Sequence, residues 1–227
     1  METYSNLHVL TISTAGESFK NFSYIVYDQI SKEGLLVDPS WEKEKICAAL
    51  GAHDVKLRHV LLTHSHNDHI NLSNFFTGSL GITALISMDE YAFYRPEIHH
   101  PQLFYANQTI LFGSFTCKCL LTPGHTKGSA CFWIGNTLFS GDTFFFEGCG
   151  SCDGRGSSPE EMFETIQYLK NMLYPGMQVF PGHSFGRMPG QKFADILRNN
   201  IYFNINSVEK FVQFRMRPGQ DNLMNFH

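Results

Sequence analysis

The segment LRHVLLT, residues 57–63, closes on the unbroken apolar run Val60-Leu61-Leu62 and stops directly at a cluster of histidines. An alternating strand can leave one face in water, but a strand that is apolar on consecutive positions needs cover on both faces. A layered α/β fold is therefore expected around it. Other short segments carry the same strand character. FSYIVYDQ and EGLLVDP read as a hairpin across ISK that ends at Asp38-Pro39, and ITALIS and QVFPGH read as single strands. QTILFGSFTCKCLLTPG turns at Gly113-Ser114, and ACFWIGNTLFSGD turns at Gly135-Asn136.

Helices punctuate these strands. WEKEKICAAL is a short helix closed by Gly51, and MDEYAFY is another. In SSPEEMFETIQYLKNML, Ser158 can cap, Pro159 suits the first helical position and Glu161 completes a capping box. The segment from about 190 to 214 carries Phe and Ile at helical spacing. Strands fall in two groups, before and after about residue 90, which predicts two packed sheets with helices outside.

The 227 residues suffice for one core, expected as one domain over 1–227 with a helical C-terminal segment at about 190–214. A hydrophobic fraction of 43% and a charged fraction of 17% are globular values, and only the terminal DNLMNFH suits disorder. No run nears the roughly 18 apolar residues of a membrane span, and the first ten residues lack a signal-peptide pattern, so a cytoplasmic location is expected. Six cysteines in a chain of this size read as reduced, and Cys149-x-x-Cys152 reads as loop structure, not a redox pair. The net charge of −4 gives no pull towards nucleic acid. It is unevenly spread: Arg187, Lys192, Arg198, Lys210, Arg215 and Arg217 make residues 183–219 basic on an acidic body.

Polar residues gather where strands end. HSHNDH follows the first strand, and TPGHTKGS, FSGDTFF and VFPGHSFG place His125, Asp142 and His183 next to or near glycine after other apolar strands. Burying so many titratable groups without metal or hydrogen-bond partners would cost several kcal/mol. Zinc-like ions accept imidazole nitrogens at about 2.0–2.1 Å together with carboxylates, and two such ions sit about 3.5–4 Å apart in hydrolytic centres. His64, His66 and His125 can hold one ion; Asp68, His69 and His183 can hold a second; Asp142 can bridge them. His8, His53, His59, His99, His100 and His227 lack this context and read as surface or loop residues.

The motif His64-Ser65-His66-Asn67-Asp68-His69, with the later loops in order, resembles the metallo-β-lactamase superfamily over roughly residues 8–186. That resemblance implies a four-layer αββα sandwich of two mixed β-sheets with the metals at one edge. GDTFFFEGCG, SSPEEMFETIQYL and VFPGH are similar to its glyoxalase II branch of thioester hydrolases. NLHVLTISTAGESFKNFSYIVYD together with EGCGSCDG resembles the zinc-dependent hydrolases of bacterial trans-acyltransferase polyketide clusters. Two departures point away from glutathione thioesters. Ser151 and Cys152 follow Gly150 where the glyoxalase II and persulfide dioxygenase members have arginine, and the longer glutathione-binding C-terminal region has no match. Ile70-Asn71-Leu72 also stand where the family often has glycines.

The expected activity is hydrolysis of an acyl thioester on an acyl carrier protein or coenzyme A by a hydroxide bridging two divalent ions, zinc first, with iron or manganese as alternatives. Asp68 would orient that nucleophile. An acidic carrier protein would dock near Arg187, Lys192 and Arg198; no nucleic acid or membrane partner is expected. The resemblance also leaves open a mononuclear iron persulfide dioxygenase using His64, His125 and Asp142, a lactone or β-lactam hydrolase, and a carrier-protein-binding module without activity.

Overall fold

The computed structural model describes residues 5–16 and 20–219. The C-terminal DNLMNFH stretch, with His227, lies outside the described residues. One six-stranded sheet runs in sequence order: β1 (Leu7–Ala15), β2 (Lys20–Asp28), β3 (Glu33–Val37), β4 (Lys56–Leu61), β5 (Thr83–Ser87) and β6 (Pro101–Phe104). It is antiparallel up to β3 and parallel from β3 to β6. The second sheet comprises β7 (Thr109–Phe112), β8 (Phe115–Leu121), β9 (Ala130–Ile134), β10 (Thr137–Gly141), β11 (Gln178–Pro181) and β12 (Gln191–Lys192). Only its β10–β11 pair is parallel. Both sheets are mixed, and the boundary falls after residue 104, later than the sequence suggested, because β6 still belongs to the first sheet.

The alternation of side chains builds the layers. Phe22, Tyr24 and Val26 of β2 face Phe132, Ile134 and Phe139 of the other sheet, and these form the core between the sheets. Ile25 and Tyr27, one residue out of step, join Leu36, Val60 and Ile86 on the outer face of the first sheet. That face lies beneath α1 (Lys43–Ala52), α2 (Asn67–Ile70), α3 (Ser73–Leu80) and α4 (Met88–Tyr94). Leu120, Cys131, Leu138 and Val179 face outward from the second sheet against α5 (Pro159–Met172), α6 (Phe193–Asn199) and α7 (Val208–Arg215). The result is helix, sheet, sheet, helix.

Local chemistry explains most elements. Ser158 Oγ accepts the Glu161 N–H at 3.1 Å, as its cap position requires, while the Glu161 carboxylate pairs with Lys127 Nζ at 2.8 Å and does not close the box. Helix α1 runs through Gly51 to Ala52, so Gly51 is its last turn and not its stop. The C-terminal region is not one helix. Asn200 interrupts it, since its side chain donates to the carbonyls of Phe145 and Gly148 at 3.1 and 2.7 Å and caps the short 3-10 turn Ile201–Asn204. His8 and His59 lie in β1 and β4, not in loops, and His59 Nδ1 is 2.7 Å from Thr83 Oγ1.

The chain direction of β3, β4, β8, β10 and β11 brings their C-terminal ends to one edge of the sandwich. There the sheets are tied together by Phe22 N–H to Gly182 O and Ala130 N–H to Thr63 O, both 2.8 Å.

Candidate metal centre

All seven predicted residues converge on that edge. After β4 the backbone stays extended to His66 (φ −64°, ψ 141°) and then enters α2 at Asn67. Residues two apart on extended chain share a side, which brings His64 and His66 together; the switch to helix turns Asp68 and His69 another way. His125 follows β8, Asp142 follows β10 and His183 follows β11.

Two groups of atoms meet. His66 Nδ1 is 3.0 Å from His64 Nε2 and 3.1 Å from His125 Nε2. His183 Nε2 is 3.3 Å from both His69 Nε2 and Asp68 Oδ2. Asp142 stands between them, with Oδ1 at 3.4 Å from His69 Nε2 and Oδ2 at 3.4 and 3.6 Å from His183 and His125 Nε2. In each of the trios His64-His66-His125, Asp68-His69-His183 and His64-His69-Asp142, one ligating atom per residue lies within 4.8 Å of the others, close enough to share an ion.

The far sides of the rings are fixed. His125 Nδ1–H donates to Ser151 O and His183 Nδ1–H to Lys20 O, both at 2.8 Å, and these carbonyls can only accept. His69 Nδ1 meets Asp38 Oδ2 at 3.0 Å. His64 Nδ1 meets Thr63 Oγ1 at 3.1 Å, and that hydroxyl donates to Asp38 Oδ2 at 2.6 Å. Each Nε2 is thereby turned inward, where it could face a metal. Gly150 is needed beside this array. Its N–H donates to Asp142 O at 2.9 Å, and a Cβ there would lie 2.7 Å from His125 Nδ1.

The residues fit a metal. Asp142 Oδ1 is buried and accepts no hydrogen bond, which is costly for a carboxylate oxygen unless a cation meets it. Burial pushes His64 well down and His125 down to about 4, so these rings are neutral. Burial would also lower His69 and His183, but Asp142 and its neighbouring carboxylates outweigh it, raising His69 and taking His183 up to about 10. Asp142 is held well below the carboxylate range, because burial is outweighed by His183 and His69. The carboxylate-rich half thus attracts positive charge, which a proton supplies when no metal does.

A cavity of about 690 Å³ opens from this cluster. Phe145, Phe185, Ile201 and Phe214 line it, and Arg215 and Arg217 reach it from the C-terminal helix and the residues after it. Arg187, Lys192 and Arg198 lie outside its lining. Arg187 stacks over Phe146 at 4.8 Å, and Arg198 pairs with Asp195.

The sequence pattern of the metallo-beta-lactamase superfamily matches residues 17–183. The chain belongs to this superfamily. BaeB of Bacillus velezensis and PksB of Bacillus subtilis, each described as a probable polyketide biosynthesis zinc-dependent hydrolase, are 44% and 41% identical to it over 215 residues, covering 95% of this chain and 96% of theirs. A hydroxyacylglutathione hydrolase of Anaeromyxobacter dehalogenans is 30% identical over 174 residues, 77% of this chain and 65% of that protein. A metallo-beta-lactamase structure from Staphylococcus aureus shares the fold with a TM-score of 0.82 at 23% identity, covering 94% of this chain and 68% of that one. The folded chain also brings in residues that the sequence did not disclose. Asp38, which anchors His69 and Thr63, looked like the end of a hairpin, although its positive φ of 46° marks a held position. Asn21, whose Nδ2 donates to Asp68 Oδ2 at 3.0 Å, had no local signal.

Proposed function

We propose that the protein is a zinc-dependent hydrolase of acyl thioesters acting in polyketide biosynthesis. The observation that carries the metal-dependent part is the unsatisfied, buried Asp142 Oδ1 set between two groups of inward-facing ring nitrogens. The setting in polyketide biosynthesis is supported by the two Bacillus relatives, which match nearly the whole chain, and the acyl thioester by the more distant hydroxyacylglutathione hydrolase. In this account His64, His66 and His125 would hold one ion and Asp68, His69 and His183 the other, with Asp142 available to both. When bound, the ions supply a water of lowered pKa and a Lewis acid for the carbonyl.

The chain's own residues do the rest. Asn21 fixes Asp68 at the cavity wall, where its carboxylate orients the attacking water. Phe145, Phe185, Ile201 and Phe214 cover an acyl chain or an uncharged thiol arm and keep bulk water from the reacting carbonyl. The departing thiolate is stable enough to leave without a dedicated acid, and none is required of the cavity. Asp68, His69 and His183 converge on their own, which supports two ions over a single iron held by His64, His125 and Asp142. An acidic carrier protein presenting the thioester would dock near Arg187, Lys192 and Arg198.

The test is a panel of acyl thioesters on carrier protein, coenzyme A, N-acetylcysteamine and glutathione, with Asp142→Ala as control. Metal-dependent hydrolysis of the carrier or coenzyme A thioester, lost in Asp142→Ala without unfolding, is the expected result. One iron per chain with oxygen consumption, preference for a lactone or β-lactam, or a fully loaded but inert protein would overturn it. Charge reversal at Arg187, Lys192 and Arg198 is expected to raise KM for carrier-bound acyl groups and spare small thioesters; equal effects on both would remove the docking face from the account.

A further inference from the structure

Glu90 is fully buried in the first turn of α4 and faces no lysine or arginine among the described residues. Its carboxylate accepts four hydrogen bonds. Oε1 takes the Ser65 N–H at 2.8 Å and the Ser65 hydroxyl at 2.6 Å; Oε2 takes the Thr126 hydroxyl at 2.8 Å and the Gly128 N–H at 2.9 Å. Ser65 sits between His64 and His66, and Thr126 follows His125. One carboxylate therefore joins the two loops that supply the three-histidine group.

Helix capping does not explain this arrangement. Ser87 caps α4 by accepting the Glu90 N–H at 3.0 Å, and the pair Ser87-x-x-Glu90 has the spacing of a capping box. In such a box the glutamate would turn back to the Ser87 N–H. Here all four of its bonds go to the ligand loops instead. The fit is close: a Cβ on Gly128 would lie 2.0 Å from Glu90 N, so only glycine lets this loop reach the carboxylate. Asp38 performs the corresponding task for His69 directly and for His64 through Thr63.

We propose that Glu90 is a positioning residue for the ion held by His64, His66 and His125, setting the separation of the two loops and placing a buried negative charge behind an all-histidine group. This rests on the two-metal reading given above. Glu90→Gln keeps the size but puts an NH2 where one oxygen now receives both an N–H and a hydroxyl, so one loop loses its anchor.

The test is zinc titration of the metal-free wild type and Glu90→Gln against a chromophoric chelator, with the cobalt(II) visible spectrum as a second readout. The expected result is two ions in the wild type, and in Glu90→Gln a loss of affinity of roughly ten- to a hundred-fold for one ion only. The cobalt bands of that site should shift while circular dichroism of the metal-free protein stays unchanged. Fewer than two ions in the wild type would overturn the two-metal reading itself. Two ions in the wild type, with both affinities equally reduced or both unchanged in Glu90→Gln, would overturn the role of Glu90 alone. Should Glu90→Gln fail to fold, Ser65→Ala and Thr126→Val each remove one hydroxyl bond to the carboxylate and leave the carboxylate itself in place. Each is expected to weaken the same ion by a smaller factor, and no change in either overturns the proposal.

Discussion

Asp38 shows what a single buried side chain contributes to this centre. It accepts from Thr63 N–H, from Thr63 Oγ1–H and from His69 Nδ1 at 2.8, 2.6 and 3.0 Å, and so orients two histidines from behind. Asp38→Asn is expected to lower zinc affinity by roughly ten- to a hundred-fold in chelator competition, with the fold retained. The carboxylate-rich half also gives a pH signature. In the metal-free protein His183 is raised to about 10 against an unfolded value near 6.5, so its stabilisation is complete below pH 6.5 and is lost as pH rises towards 10. Thermal melts of metal-free protein should show Tm falling across that window, and His183→Asn should flatten the slope. The seven proposed ligand residues, which the fold brings together at one edge, stood out because residue type and spacing are both local. Asp38, Asn21 and Glu90 did not, since each acts on a residue at least 25 positions away and only folding brings them together.

Elements were legible where capping and alternation speak for themselves. Ser158, Pro159 and the apolar spacing after them placed α5, and its buried face of Met162, Thr165, Ile166 and Leu169 follows that spacing. Ser158→Ala removes the cap and is expected to cost about 1 kcal/mol in denaturant unfolding while leaving metal content unchanged. A loss of bound metal would mean that Ser158, whose N–H also holds Gly124 O beside His125, matters to the centre as well. The C-terminal region misled the sequence analysis for a physical reason. Helical spacing continues across Asn200, but its amide is drawn away to two loop carbonyls beside the cavity, and the helix must break. The helices α2 and α3 were also missed, because the histidine motif obscures where the strand signal gives way to helix.

For the whole molecule, the double cover required by Val60-Leu61-Leu62 already implied a layered fold: Leu61 is covered by the second sheet, and Val60 and Leu62 by the helices on the outer face of the first. The cysteines fit the same picture: Cys117 and Cys119 fill space between the sheets, while Cys149 and Cys152 pack under the C-terminal helices. Burial pushes the Cys152 thiol up to about 11, and Cys47 is the exposed one of the six. Thiol titration of the native protein at pH 8 is therefore expected to find one fast thiol, and six after denaturation. Three fast thiols would mean that the Cys149-Cys152 pair is accessible to redox chemistry. We propose that this edge of the sandwich forms a two-metal centre that hydrolyses acyl thioesters. Its most direct test is the rate of acyl-thioester hydrolysis by metal-free protein as zinc is added. The rate is expected to level off at two zinc ions per chain; a plateau at one ion, or no hydrolysis at any loading, would contradict a two-metal thioesterase.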